Sequence, residues 1–469
     1  MRLRQAGLLA IVLFVAGCTG GGKEPGATSS ASFAAGAPGI GDPYFPKYGN
    51  GGYDVAGYDL KVRYDPASGN LTGTATITAT ATQGLSSLDL DLSGLTASKA
   101  TVDGAPATAR ADGTELVITP AAGIASGSRF TLVIDYGGQP SPIKNDVLGE
   151  GGWLKTADGA VALGQPESAS TWFPVNDHPS DKALFRVAIT VPDGVEAISN
   201  GVPGENETAG GWTTWHWAES APMASYLSTL VIGQYRLTKT THAGRPMVVA
   251  VPESTPATDG AVTSLNRTGE IADFLATKFG PYPFDSYGGI LVGDSRIRYA
   301  LETQSRPVYG KAFFTSGPND TVVAHELAHQ WFGDSVALER WKDIWLNEGF
   351  ATYAEWLWAE HEDEATVREE FDEVYQTYPW QVPAKAGDPG VKGLFGDAVY
   401  QRGGMTVYAL RVKIGDAAFD RFVKRWTTEY RNRNADTDDL IKLAEEVSGQ
   451  QLDDFFQAWL FSTTKPPKP

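Results

Sequence analysis

Cysteine is almost absent: Cys18 alone occurs in 469 residues, which rules out a disulfide within the chain and leaves core size and metal to carry stability. Histidine is scarce too, at six, so a closely spaced pair is not the by-product of a His-rich tract. Long apolar runs are missing. The one continuous run, residues 8–15, is too short to span a bilayer. Basic residues are outnumbered, 38 Lys and Arg against 56 Asp and Glu, giving a formal net charge of −18. That balance argues against nucleic-acid binding, which relies on Lys and Arg meeting phosphate. It suits solubility outside a cell and says little about substrate. No internal repeat is visible.

What is present begins at the N-terminus. Arg2 and Arg4 precede the apolar run, which ends in Val15-Ala16-Gly17-Cys18. Residues 1–17 read as a signal peptide. The tetrapeptide resembles a bacterial lipobox, in which the cysteine is lipidated and becomes the new N-terminus; the alternative is an ordinary secretory signal with an incidental cysteine. The resemblance implies an extracytoplasmic protein, secreted or attached to the cell membrane through Cys18 only. Residues 18–47, rich in Gly, Ala, Ser, Pro and Thr, read as a flexible tether. The remainder exceeds 400 residues and calls for at least two domains.

Residues 48–237 alternate with period two, as in Thr74-Ala75-Thr76-Ile77-Thr78 and Leu88-Asp89-Leu90-Asp91-Leu92, with Gly, Asp and Pro between the runs. This predicts an N-terminal antiparallel β domain, a sandwich or saddle. From residue 238 to 469 the pattern turns helical after one short strand at 289–292, predicting an α-rich α+β domain with helices at 260–279, 320–332, 344–361, 364–376, 401–413, 416–430, 436–447 and 451–461.

The chemistry concentrates in His325-Glu326-Leu327-Ala328-His329 and in Glu348 of Trp345-Leu346-Asn347-Glu348-Gly349-Phe350-Ala351. Positions i and i+4 share a helix face, so both histidines can reach one ion. Zinc takes neutral imidazoles, and catalytic sites use three protein ligands with one open position. Glu348 is the natural third ligand, and Glu326 is placed to take a proton from water. Asn319-Asp320 offers an N-cap and Gly333 a stop.

These motifs resemble the aminopeptidase N family of gluzincins, peptidase family M1. The resemblance implies a thermolysin-like catalytic domain after the β domain, one Zn2+ per chain, His325, His329 and Glu348 as ligands, and Glu326 as general base. Tyr299-Ala300-Leu301-Glu302-Thr303 is similar to the family's Gly-Ala-Met-Glu-Asn segment, which makes Glu302 the partner of a substrate's free α-ammonium. Val399-Tyr400-Gln401-Arg402-Gly403-Gly404 is similar to a segment whose tyrosine faces the scissile carbonyl, so Tyr400 would donate to the oxyanion. Gln165-Pro166-Glu167 is similar to a β-domain segment that reaches the active site, implying substrate contacts for Gln165 and Glu167. The expected partners are peptides with a free N-terminus, and the expected function is a zinc aminopeptidase. A thermolysin-type endopeptidase and a non-catalytic scaffold on the same fold remain alternatives. Larger members carry a C-terminal helical-repeat domain for which nothing here corresponds, so a more open cleft that tolerates longer peptides is expected.

Overall fold

Strand Tyr53–Asp65 shows how alternation becomes a sheet: Tyr53, Val55, Tyr58, Leu60, Val62 and Tyr64 are buried, and a bulge at Val55/Gly57 restores the phase between the first two residues and the rest. The computed structural model describes residues 32–145 and 149–469; the expected signal peptide, Cys18 and the first part of the tether lie outside the described residues. Among the described residues this strand lies near one end of a 12-stranded sheet, between Asn70–Ala81 and Lys182–Pro192. The sheet is mixed. Tyr53–Asp65 runs parallel to Lys182–Pro192, which corrects the all-antiparallel expectation. Alternation favours antiparallel sheets as a whole but reports only which face of one strand is buried, so it does not fix the direction of each neighbour.

A second sheet, of five strands, includes Ala160–Leu163, which pairs with Leu230–Gly233. Its end leads straight into Gln165-Pro166-Glu167. A third sheet, also five-stranded, opens the second half with Tyr235–His242, Arg245–Pro252 and Tyr287–Val292, and ends on Val308–Gly310 and Ala300–Leu301. The expected division at 237/238 therefore falls inside a strand. Phe33–Pro469 forms one compact unit, and its halves are stitched together by polar contacts. The ammonium of Lys182 donates to the carbonyls of Asp334 and Ser335 at 2.7 and 2.9 Å, and Asn434 Nδ2 donates to the carbonyl of Pro179 at 2.8 Å.

The tether expectation needs correction between residues 33 and 47, which lie on the body of the protein. Ala34–Ala35 adds a strand beside Leu85–Asp91. Asp42 is buried, its Oδ2 3.2 Å from His178 Nε2 and accepting from the Trp341 amide at 2.9 Å. Tyr44 donates to Asp388 at 2.5 Å, and Phe45 meets the edge of Trp341. Small residues dominate the composition of this stretch, but a few aromatic and acidic anchors determine where it goes.

The second half is helical, as its period requires. The helices Asp320–Ala328, Trp345–His361, Gly403–Ile414, Asp416–Glu429 and Thr437–Ser448 lie close to expectation. Helix 260–279 breaks at Arg267 into Gly260–Asn266 and Thr268–Phe279, and the helix expected to reach 332 stops at Ala328.

Candidate active site

The metal helix, Asp320–Ala328, starts where Asn319 Oδ1 accepts the Val322 amide at 3.2 Å, and His329 caps its other end. His325 and His329 sit one turn apart, on the face turned toward the ligand helix, Trp345–His361. Glu348 Oε2 lies 3.3 Å from both His325 Nε2 and His329 Nε2. The ligand atoms of these three residues lie within 4.8 Å of one another. The other imidazole nitrogens are engaged elsewhere: His329 Nδ1 faces the Phe332 carbonyl at 3.0 Å, and His325 Nδ1 faces Glu355 Oε1 at 2.5 Å. With Nδ1 protonated in both rings, both Nε2 lone pairs point at one place. Once a metal ion displaces any proton on Nε2, two neutral imidazoles and one carboxylate converging there form a donor set that fits zinc.

Charge is concentrated around this point. Burial pushes the Glu326 carboxyl up to about 8, against the pull of the two histidines. Burial also works to raise Glu348, but His329 and His325 outweigh it and hold its carboxyl at about 2. For His329 burial works downward, while Glu348 and Glu302 lift it to about 9.

Glu302 follows strand Ala300–Leu301 and is buried; one carboxylate oxygen lies within 4.8 Å of ligand atoms of Glu326 and His329. Its Oε1 accepts from Gln165 Nε2 at 3.1 Å and from the Tyr226 hydroxyl at 2.9 Å. Gln330 Nε2 donates to its main-chain carbonyl at 3.0 Å. Tyr400 lies in a π-helical turn, Ala398–Arg402, and its ring stacks over His325 with centroids 6.0 Å apart. A cavity of about 350 Å³ joins Gln165, Glu302, Glu326, His325, Glu348 and Tyr400, and extends past Phe313 and Val322.

Glu167 is the exception. It is not among the residues lining that cavity; its Oε1 accepts from the Tyr48 hydroxyl at 2.5 Å, and burial, with Asp177 nearby, pushes its carboxyl up to about 7. Of the two residues expected to contact substrate from this segment, Gln165 lines the cavity beside Glu302, while the Glu167 carboxylate is engaged by Tyr48. The partner that claims it, Tyr48, stands at the first residue of the expected β domain.

Arg402 is buried and structural, its guanidinium donating to the carbonyls of Trp459, Ala458 and Ala384. Tyr226 and Glu355 were not singled out from the sequence. Tyr226 carries no local motif. Glu355 had one available signal, since it lies seven residues after Glu348 and so on the same helix face.

A buried His-His-Glu set beside a second carboxylate on the metal helix defines a single-zinc HExxH protein. Comparison with known sequences narrows this. Residues 55–227 match the Peptidase M1 N-terminal domain and residues 264–459 the Peptidase family M1 domain. The chain belongs to peptidase family M1, with the β-rich domain leading into the α-rich catalytic domain. It is 30% identical over 333 residues to aminopeptidase M1-D of Oryza sativa subsp. japonica, covering 65% of this chain and 37% of that protein. Glutamyl aminopeptidase of Sus scrofa is 28% identical over 323 residues, covering 63% and 34%. The chain thus spans about a third of the length of the curated relatives it matches. An M1 zinc metallopeptidase from Deinococcus radiodurans is 30% identical, covers 92% of this chain and 98% of its own, and superposes with a TM-score of 0.84. A mutant of it bound to a Tyr-Ser-Ala substrate aligns with the same TM-score and identity, covering 92% and 99%.

Proposed function

We propose that this chain is a zinc aminopeptidase that removes the N-terminal residue of peptides. The observation that carries the reading is the position of Glu302. A buried carboxylate, steadied by Gln165 and Tyr226, stands within 4.8 Å of Glu326 and His329. A cation balances it there, and the main chain of a peptide supplies one only at its amino terminus. Registering the α-ammonium on Glu302 places the first peptide bond, and no later one, at the metal site.

His325, His329 and Glu348 would hold the zinc, which when bound polarises the scissile carbonyl and makes water acidic at neutral pH. Glu326 accepts a proton from the attacking water and returns it to the leaving amine. The Tyr400 hydroxyl donates to the oxygen on which negative charge develops, an interaction that strengthens only in the transition state. Gln165 and Tyr226 keep Glu302 in one rotamer, so the ammonium is met without reorganisation. The relatives named aminopeptidase support the reading. Lipidation at Cys18 and an extracytoplasmic location belong to the same proposal and rest on the N-terminal motif.

A panel of aminoacyl-naphthylamides, run beside peptides with free and acetylated N-termini, tests it. Cleavage confined to free N-termini and abolished by a chelator is the expected result. Cleavage of blocked peptides would move the assignment to a thermolysin-type endopeptidase and remove the role of Glu302. A zinc-loaded protein that cleaves nothing would favour the scaffold.

A further inference from the structure

Two carboxylates of the ligand helix bracket one imidazole. Glu348 and Glu355 are seven residues apart, roughly 10 Å along the axis and nearly in line on one face. His325 lies between them, its Nε2 3.3 Å from Glu348 Oε2 and its Nδ1 2.5 Å from Glu355 Oε1. Glu355 is outside the three-residue ligand group, yet it lines the same cavity, with 30% of its side chain exposed. The two metal-site histidines are therefore supported unequally. His329 Nδ1 is met by the neutral carbonyl of Phe332 at 3.0 Å, a group fixed by the backbone. His325 Nδ1 is met by a full negative charge on a side chain that can be changed without touching the main chain.

We propose that Glu355 is a positioning residue for the metal site: its carboxylate holds His325 with Nδ1 as the donor, aims Nε2 at the ion, and makes this imidazole the more electron-rich of the two. The inference rests on the zinc reading above. A carboxylate accepting from the remote nitrogen of a ligand histidine both orients the ring and strengthens its donor lone pair. Because both carboxylates come from one rigid helix, the imidazole is clamped between two points that cannot drift apart. The ligand and its orienter are set in one stroke when the helix docks.

The test measures zinc affinity by competition with a chromogenic chelator in wild type, Glu355→Gln and Glu355→Ala, together with the melting temperature of each metal-free protein. Glu355→Ala is expected to bind zinc about 10–100-fold more weakly, with the metal-free melting temperature unchanged. Glu355→Gln keeps an acceptor without the charge and is expected to fall between the two. Cobalt-loaded Glu355→Ala should also show an altered ligand-field spectrum, a readout that a merely structural role would not move. Zinc affinity equal to wild type in both variants would overturn the role of Glu355, as would a raised KM with unchanged zinc affinity, which would make it a substrate contact. Wild-type protein that takes up no zinc would instead overturn the metal site itself.

Discussion

Gly349 and Gly403 touch backbone to backbone. A Cβ on Gly349 would lie 2.9 Å from the carbonyl carbon of Gly403, and a Cβ on Gly403 would lie 2.9 Å from Gly349 Cα. Gly349 follows the ligand Glu348, and Gly403 opens the helix that follows the turn carrying Tyr400. The absence of two side chains lets these helices approach until the third ligand and the phenol share one cavity.

Alanine at position 349 should therefore act against its intrinsic propensity. In a helix interior Gly→Ala ordinarily stabilises, by up to about 1 kcal/mol. Here the added methyl meets main chain that cannot rotate away, and Gly349→Ala is expected to destabilise by about 1–3 kcal/mol. Urea unfolding measures it, and a variant as stable as wild type would show that the helices can separate at no cost.

Replacing Glu326 by Gln removes the group proposed to move the proton and leaves all three ligands in place. Zinc content should match wild type, while kcat falls by about 10²–10⁴-fold. Metal analysis and turnover on the same preparation decide the matter. A zinc-loaded Glu326→Gln protein with near-normal turnover would require another base.

Asp42 gives the acid side of the stability profile a specific origin. Burial raises its carboxyl, but the hydrogen bond with His178 and the amides of Trp341, Tyr44 and Phe45 outweigh it and hold it at about 2, below the ordinary 3.8. The folded state thus binds this proton less readily than the unfolded chain. Its contribution is complete above about pH 4 and is lost as pH falls from there through about 2. Asp42→Asn should cost about 2 kcal/mol near neutrality by breaking charge-assisted bonds. The gap between variant and wild type should hold from pH 6 to about pH 4 and narrow from there toward pH 2 in urea titrations. A gap that stays constant would place the acid sensitivity elsewhere.

His325, His329 and Glu348 could be read directly because the first pair obeys a local rule, one helical turn, and the third lies in a recognisable helix of its own. Gln165, Glu302 and Tyr400 were reached through family motifs, and all three line the cavity. Glu167 was placed by the same route and turned away, because the Tyr48 hydroxyl, 119 residues earlier in the chain, claims its carboxylate. Tyr226 reaches Glu302 across 76 residues. No spacing rule connects such pairs.

Periodicity, caps and the metal motif are properties of neighbouring residues, with energies set within a turn or a strand, and a linear reading captures them. So the β-then-α order, the helix start at Asn319 and the convergence of two histidines with Glu348 were already written in the chain. Strand direction, the course of residues 33–47, the contact between Gly349 and Gly403 and the support of His325 by Glu355 were settled by packing. Each depends on which distant surfaces bury one another, and composition such as the Gly and Ala of the N-terminal stretch cannot report that.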